Sequence, residues 1–132
     1  MSHFTRIRTK LLDRDTLVQV LREFGFAQVE VHSEPQILYG YEGDPRPERA
    51  EIIIRRQFIG EFSNDLGFQL QPDGSYSAII SDYDRGKYNQ EWLDKLTQRY
   101  THLRLLHTAQ SQGLQVACQE ILGDGTIRIV LQ

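Results

Sequence analysis

A chain of 132 residues with 39% apolar and 25% charged side chains has the make-up of an ordinary globular protein. That length buries a core without disulfide or metal staples, and the single cysteine, Cys118, excludes an intrachain disulfide or a redox pair. The formal net charge of −3 argues against a strongly basic nucleic-acid-binding domain, the opening MSHFTRIRTK holds no apolar stretch long enough for a signal peptide, and there is no run of about 20 apolar residues to span a membrane.

Residues 2–11 predict a strand, with Thr5, Ile7, Thr9 and Leu11 on one side and Arg6, Arg8 and Lys10 on the other. Asp13 is placed to cap a helix running through Phe24, and Asp15 in its first turn opposes the positive helix end. Leu17, Val18, Val20, Leu21 and Phe24 share one apolar sector of that helix. Gly25 suits the left-handed stop after it. A second strand covers Gln28–His32 and resumes at Ile37–Tyr39. The stretch Gly40–Glu48, ending in GDPRPE, reads as a loop, because its prolines and charges oppose a packed strand. AEIIIRRQFI, residues 50–59, reads as a central strand covered on at least one face.

Two hairpins follow. FQLQPDGSYSAIIS turns at Asp73-Gly74 and LQVACQEILGDGTIRIVLQ turns at Asp124-Gly125. Asp-Gly between alternating apolar runs marks a tight turn, since glycine tolerates the positive φ required. Between them a long amphipathic helix runs from Asn89 to Gly113, with Trp92, Leu93, Leu96, Tyr100, Leu103 and Leu106 as its apolar stripe. Arg99 and His107 fall inside that stripe and are its local anomaly. These elements predict a single α+β domain over residues 1–132, a mainly antiparallel sheet of about six or seven strands with two helices on one face. The other face is then left wet or open to a partner.

Few residues carry recognisable chemistry. His3, His32, His102 and His107 form no close pair at helical ligand spacing, so no metal site is expected. Cys118 shares strand parity with Leu114 and Val116, which makes it a buried small hydrophobe rather than a nucleophile. No phosphate-binding glycine loop and no nucleophile elbow occurs, so neither a cofactor nor a catalytic residue is assigned. Asp82 and Asp84, in SDYDRGK, precede the long helix and are candidates to pair with Arg99, as a loop clamp or as part of a site. The basic face is the more informative feature: Arg6 and Arg8, with Arg55 or Arg56, Gln69, Gln71 and Arg128 expected beside them, make an Arg/Gln-rich sheet surface suited to an acidic protein or an anionic ligand. Base-stacking aromatics are not evident there, which disfavours nucleic acid.

The landmarks AEIIIR, DLGF, DGSY, NQEWLDKLTQRY and DGTIRIVLQ, following the opening MSHF, resemble the hypothetical chloroplast reading frame thirty-five family over essentially the whole chain. That is a domain-of-unknown-function family of cyanobacteria and algal plastids. The resemblance implies a cytosolic or stromal setting and no established activity, cofactor or catalytic residue. It draws attention to LTQRY, which contains Arg99.

The leading reading is a non-enzymatic accessory protein that docks a protein partner through its basic sheet face or a strand edge, with Arg6, Arg8 and Arg55 supplying charge complementarity. The alternative is a small-ligand-binding protein or enzyme with a site near Arg99, His107, Asp82 and Asp84. Leu105, outside the helix stripe, leaves the oligomeric state open.

Overall fold

Three runs of strand, separated by two helices, set the chain order in the computed structural model. They are β1 (Phe4–Arg8), α1 (Arg14–Glu23), β2 (Glu30–Tyr39), β3 (Pro45–Ile54), β4 (Leu66–Leu70), β5 (Tyr76–Ser81), α2 (Gln90–Ser111), β6 (Val116–Ile121) and β7 (Ile127–Leu131). The structure describes residues 3–113 throughout and the backbone of β6 and β7.

The local signals act where the sequence places them. Asp13 caps α1 by accepting from the Thr16 N–H at 3.0 Å, and Asn89 caps α2 by accepting from the Trp92 N–H at 3.0 Å. Gly25 follows α1 with φ +106°, a conformation that costs glycine little. The β4–β5 connection spans Gln71–Ser75 and encloses a tight turn at Pro72–Gly74. Gln71 N–H bonds Ser75 C=O at 2.8 Å, and Gly74 takes φ +90°.

The sheet differs from expectation in size and in cover. Five antiparallel strands lie in the order β1-β5-β4-β3-β2, while β6 and β7 pair only with each other. The chain therefore has seven described strands, but in two sheets rather than one of six or seven. Both helices pack on one face of the larger sheet. There Ile52, Ile54, Phe68 and Ile80 meet Leu17, Leu21, Leu93 and Leu96 in one buried cluster. The α2 stripe is wrapped at its start by aromatics: Trp92 sits edge-on to Phe24, Phe26 and Tyr88.

The second face is not simply open. β2 is one continuous strand, and β3 begins at Pro45, inside the stretch expected to be a loop. The prolines are tolerated because β3 meets β4 only at Ile52–Ile54. Nearer the turn, β3 has a neighbour on one side alone, so a missing N–H costs no central ladder bond. The β2–β3 register slips between Val31 and Gln36 and again between Ile37 and Tyr39. Such bulges bend and twist a hairpin. The distal part of this hairpin lies against the second face, where Leu38 and Ala50 pack with Ile53 and Ile79 in a separate buried cluster. A small second core replaces part of the expected polar surface.

Candidate functional site

The predicted basic residues separate into an exposed edge and a part-buried network. Arg6 and Arg8 are exposed on β1, which is an edge strand. The register sets Arg8 opposite Ser77, and Ser77 opposite Gln69, so these three form one row across the second face. Arg6 and Arg8 line a shallow cleft with Gln71, Pro72, Asp73, Ser75 and Ser77. Gln71 is held by its side-chain amide on Gln69, at 3.2 Å to both the main-chain and side-chain oxygens. Hydrogen bonds from the Ser75 hydroxyl and N–H hold the Asp73 carboxyl below its usual range, and the charge of Arg8 adds to this.

Arg55 does not extend that face. Along the row Arg6, Ile79, Gly67, Ile53, Glu30 the sheet runs from one edge to the other, and Arg55 sits beside Glu30 at the far side, on the order of 14 Å from β1 at three strand spacings. Its guanidinium donates to Glu30 at 2.9 and 3.0 Å, to Asp65 at 2.8 Å and to the Ile37 carbonyl at 3.1 Å. It also lies over the Tyr39 ring at 5.5 Å. Burial by itself would depress the Arg55 pKa, but the two carboxylates outweigh it and raise it. The Arg55 hydrogen bonds in turn hold Glu30 low against burial, helped by His32, whose Nε2 lies 2.8 Å from the carboxylate. Arg55 is therefore a structural cation, and its expected place on a contiguous basic face is corrected.

Asp65 is 1% exposed and organises this corner. It accepts from the main-chain N–H of Tyr39 and of Arg56, each at 2.8 Å. Together with Asn64, which accepts from the Tyr41 N–H at 2.8 Å, it ties the β2–β3 hairpin to the loop before β4. The register explains the arrangement. Ile54 pairs with Leu66, so Arg55 and Asp65 stand next in line across the same ladder. The one available signal was a charge at the end of each of two apolar runs, EIIIR and DLGF.

The expected pairing of Arg99 with Asp82 or Asp84 does not form. Arg99 Nε donates to Glu23 of α1 at 2.7 Å, which joins the two helices instead, and Arg99 Nη1 lies 2.9 Å from His102 Nδ1 within α2. Asp84 is buried and accepts from the Asn64 N–H at 2.9 Å and the Ser81 hydroxyl at 2.8 Å. A loop clamp exists there, but with uncharged partners. Asp82 is exposed and meets Thr5 at 3.3 Å and Arg85 at 3.7 Å. His107 is exposed near the end of α2, where its charge helps lower Asp13, after the larger effects of the Thr16 hydrogen bonds. These residues do not converge on a common cavity. Arg128 is on β7 opposite Glu120; its side chain and that of Cys118 lie outside the described residues, and β7 is not part of the larger sheet.

Tyr100 has a role that periodicity hides. Its ring is buried in the α2 stripe, while its hydroxyl oxygen accepts from the N–H groups of Leu12 at 3.0 Å and Asp13 at 2.7 Å. It thus holds the β1–α1 connection against α2.

No described helix is long and apolar enough to cross a membrane. No solved structure matches the chain. Three curated relatives share its full length and 97% of their own, each described as "Uncharacterized protein ycf35": one from Pyropia yezoensis at 26% identity, one from Guillardia theta at 29% and one from Cyanophora paradoxa at 24%. The family model described as "Protein of unknown function (DUF1257)" matches residues 20–130, and the chain belongs to that family.

Proposed function

We propose that this chain is a single-domain, non-enzymatic accessory protein of the cytosol or plastid stroma that binds a protein partner along the β1 edge. The observation that carries this is that two exposed arginines stand together on an edge strand. Arg55, Arg99 and Arg85 are engaged with carboxylates, whereas Arg6 and Arg8 stand exposed, two positions apart in the strand, without an ion pair among the described residues. Exposed guanidiniums outside any ion pair, on a strand whose backbone β5 already holds, offer forked contacts to carboxylates. The reading that placed a ligand near Arg99 loses its support, because that guanidinium is taken up by Glu23 and His102. The test is affinity recovery of partners from the native host with the wild-type chain and with Arg6→Glu/Arg8→Glu. Partner recovery falls for the charge-reversed chain; equal recovery removes the proposal.

A further inference from the structure

We infer that the partner contributes an extended segment that adds to β1 as a further strand and carries acidic side chains at alternate positions. This rests on the reading of β1 as the docking edge.

The ladder identifies which backbone groups are free. The His3 carbonyl accepts from the Asp82 N–H at 2.7 Å, and the register continues with Thr5 opposite Ile80 and Ile7 opposite Ala78. In an antiparallel pair, alternate residues exchange both hydrogen bonds with the neighbour, and the residues between them turn their N–H and C=O away. His3, Thr5 and Ile7 therefore bond inward to β5, and Phe4, Arg6 and Arg8 direct their N–H and C=O groups outward. Among the described residues no strand pairs with that side of β1. Such a row of unpaired groups is a template for strand addition.

The same residues supply the side-chain code. A residue directly opposite Arg6 or Arg8 in an added antiparallel strand shares the face of those guanidiniums. Carboxylates at positions two apart satisfy both. The intervening partner residue falls on the other face, opposite Ile7, beside a cleft rimmed by Asp82, Arg85, Asn89 and Gln90. A small polar side chain such as threonine suits that rim.

Charge also selects against a second copy of this chain. Two-fold antiparallel pairing of β1 about Arg6 sets one Arg6 against the other, and like charges directly opposite are destabilising. Arginines on an exposed edge thus discourage self-pairing and favour a strand of the opposite sign.

The experiment uses the full chain and a short labelled peptide of alternating glutamate and threonine, with residue-resolved amide exchange by NMR. At saturating peptide the amides of Phe4, Arg6 and Arg8 slow at least about ten-fold, while Thr5 and Ile7, already bonded to β5, change little. A peptide of the same composition, with its glutamates and threonines in two blocks, binds at least about ten-fold more weakly, and Arg6→Glu/Arg8→Glu loses the alternating peptide. Unchanged edge amides at saturation, or equal binding of the block peptide, overturn strand addition. Equal affinity for a single-stranded dT oligonucleotide overturns the acidic-peptide assignment, and concentration-dependent protection of the same amides without peptide assigns the edge to a second copy. If native partner recovery falls for the charge-reversed chain while edge amides stay unchanged, the basic edge docks without adding a strand. If recovery is unaffected, the docking reading itself fails.

Discussion

Leu38 occupies the space that a side chain at Gly67 would need. A Cβ built at Gly67 lies 3.2 Å from Leu38 Cδ2 and 2.7 Å from Ala50 Cβ. The β2–β3 hairpin can lie on the second face only because β4 presents bare backbone at that point. Gly67→Ala gains a few tenths of a kcal/mol to about 1 kcal/mol from a stiffer unfolded chain, but overpacking costs about 1–3 kcal/mol and wins. The Ala50 methyl is fixed to the backbone and cannot rotate away. Chemical denaturation shows the net loss, and adding Ala50→Gly recovers part of it.

Arg55→Ala leaves Asp65 buried without its cation. Breaking a buried pair from one side costs about 3 kcal/mol, toward the lower end of the usual range because Arg55 reaches solvent on one side. Asp65 also keeps the main-chain N–H groups of Tyr39 and Arg56. Arg55→Lys restores less than half, since one ammonium cannot serve Glu30, Asp65 and the Ile37 carbonyl together. Urea melts of the three proteins measure both differences.

Glu30 gives this network a pH dependence of definite sign. Its folded pKa is lowered from 4.5, chiefly by the Arg55 hydrogen bonds, so the folded protein holds that proton more weakly than the unfolded chain does. The stabilisation is complete above 4.5 and is lost as pH falls through the lower folded value. The stability difference between wild type and Glu30→Gln is therefore largest near neutral pH and shrinks in melts taken at progressively lower pH. A gap that widens with acid contradicts the assignment.

Tyr100→Phe removes one oxygen and leaves two main-chain N–H groups, of Leu12 and Asp13, without their acceptor. The expected loss is about 1–2 kcal/mol, short of the full penalty because water reaches the exposed Leu12. Amide exchange at Leu12 and Asp13 quickens in the variant, while the β4–β5 hairpin is unaffected.

Arg99→Ala has little effect, about 0–1 kcal/mol, because the Arg99 and Glu23 side chains are 36% and 35% exposed and water screens the pair. Thermal unfolding separates this from the larger loss at Arg55. The contrast is notable because Arg99 is the more conspicuous of the two in a helical projection, and Arg55 the more consequential in the fold.

Features whose physics is local can be read along the chain. Asp13 and Asn89 cap helices because a short acceptor before an amphipathic run satisfies bare N–H groups. Gly25 and Gly74 mark a stop and a turn because both sites require positive φ. The alternation of β1 placed Arg6 and Arg8 on one exposed side whichever strand lay beside it. Features that depend on which strands meet follow from the assembled fold. Pro45 and Pro47 belong to a strand because β3 there lacks a second neighbour. Arg55 faces Asp65, and Arg99 faces Glu23 rather than Asp82 or Asp84, because strand register and helix packing bring distant residues together. Composition cannot encode such meetings one residue at a time: periodicity tells which way a side chain points, and only the assembled sheet supplies what it points at.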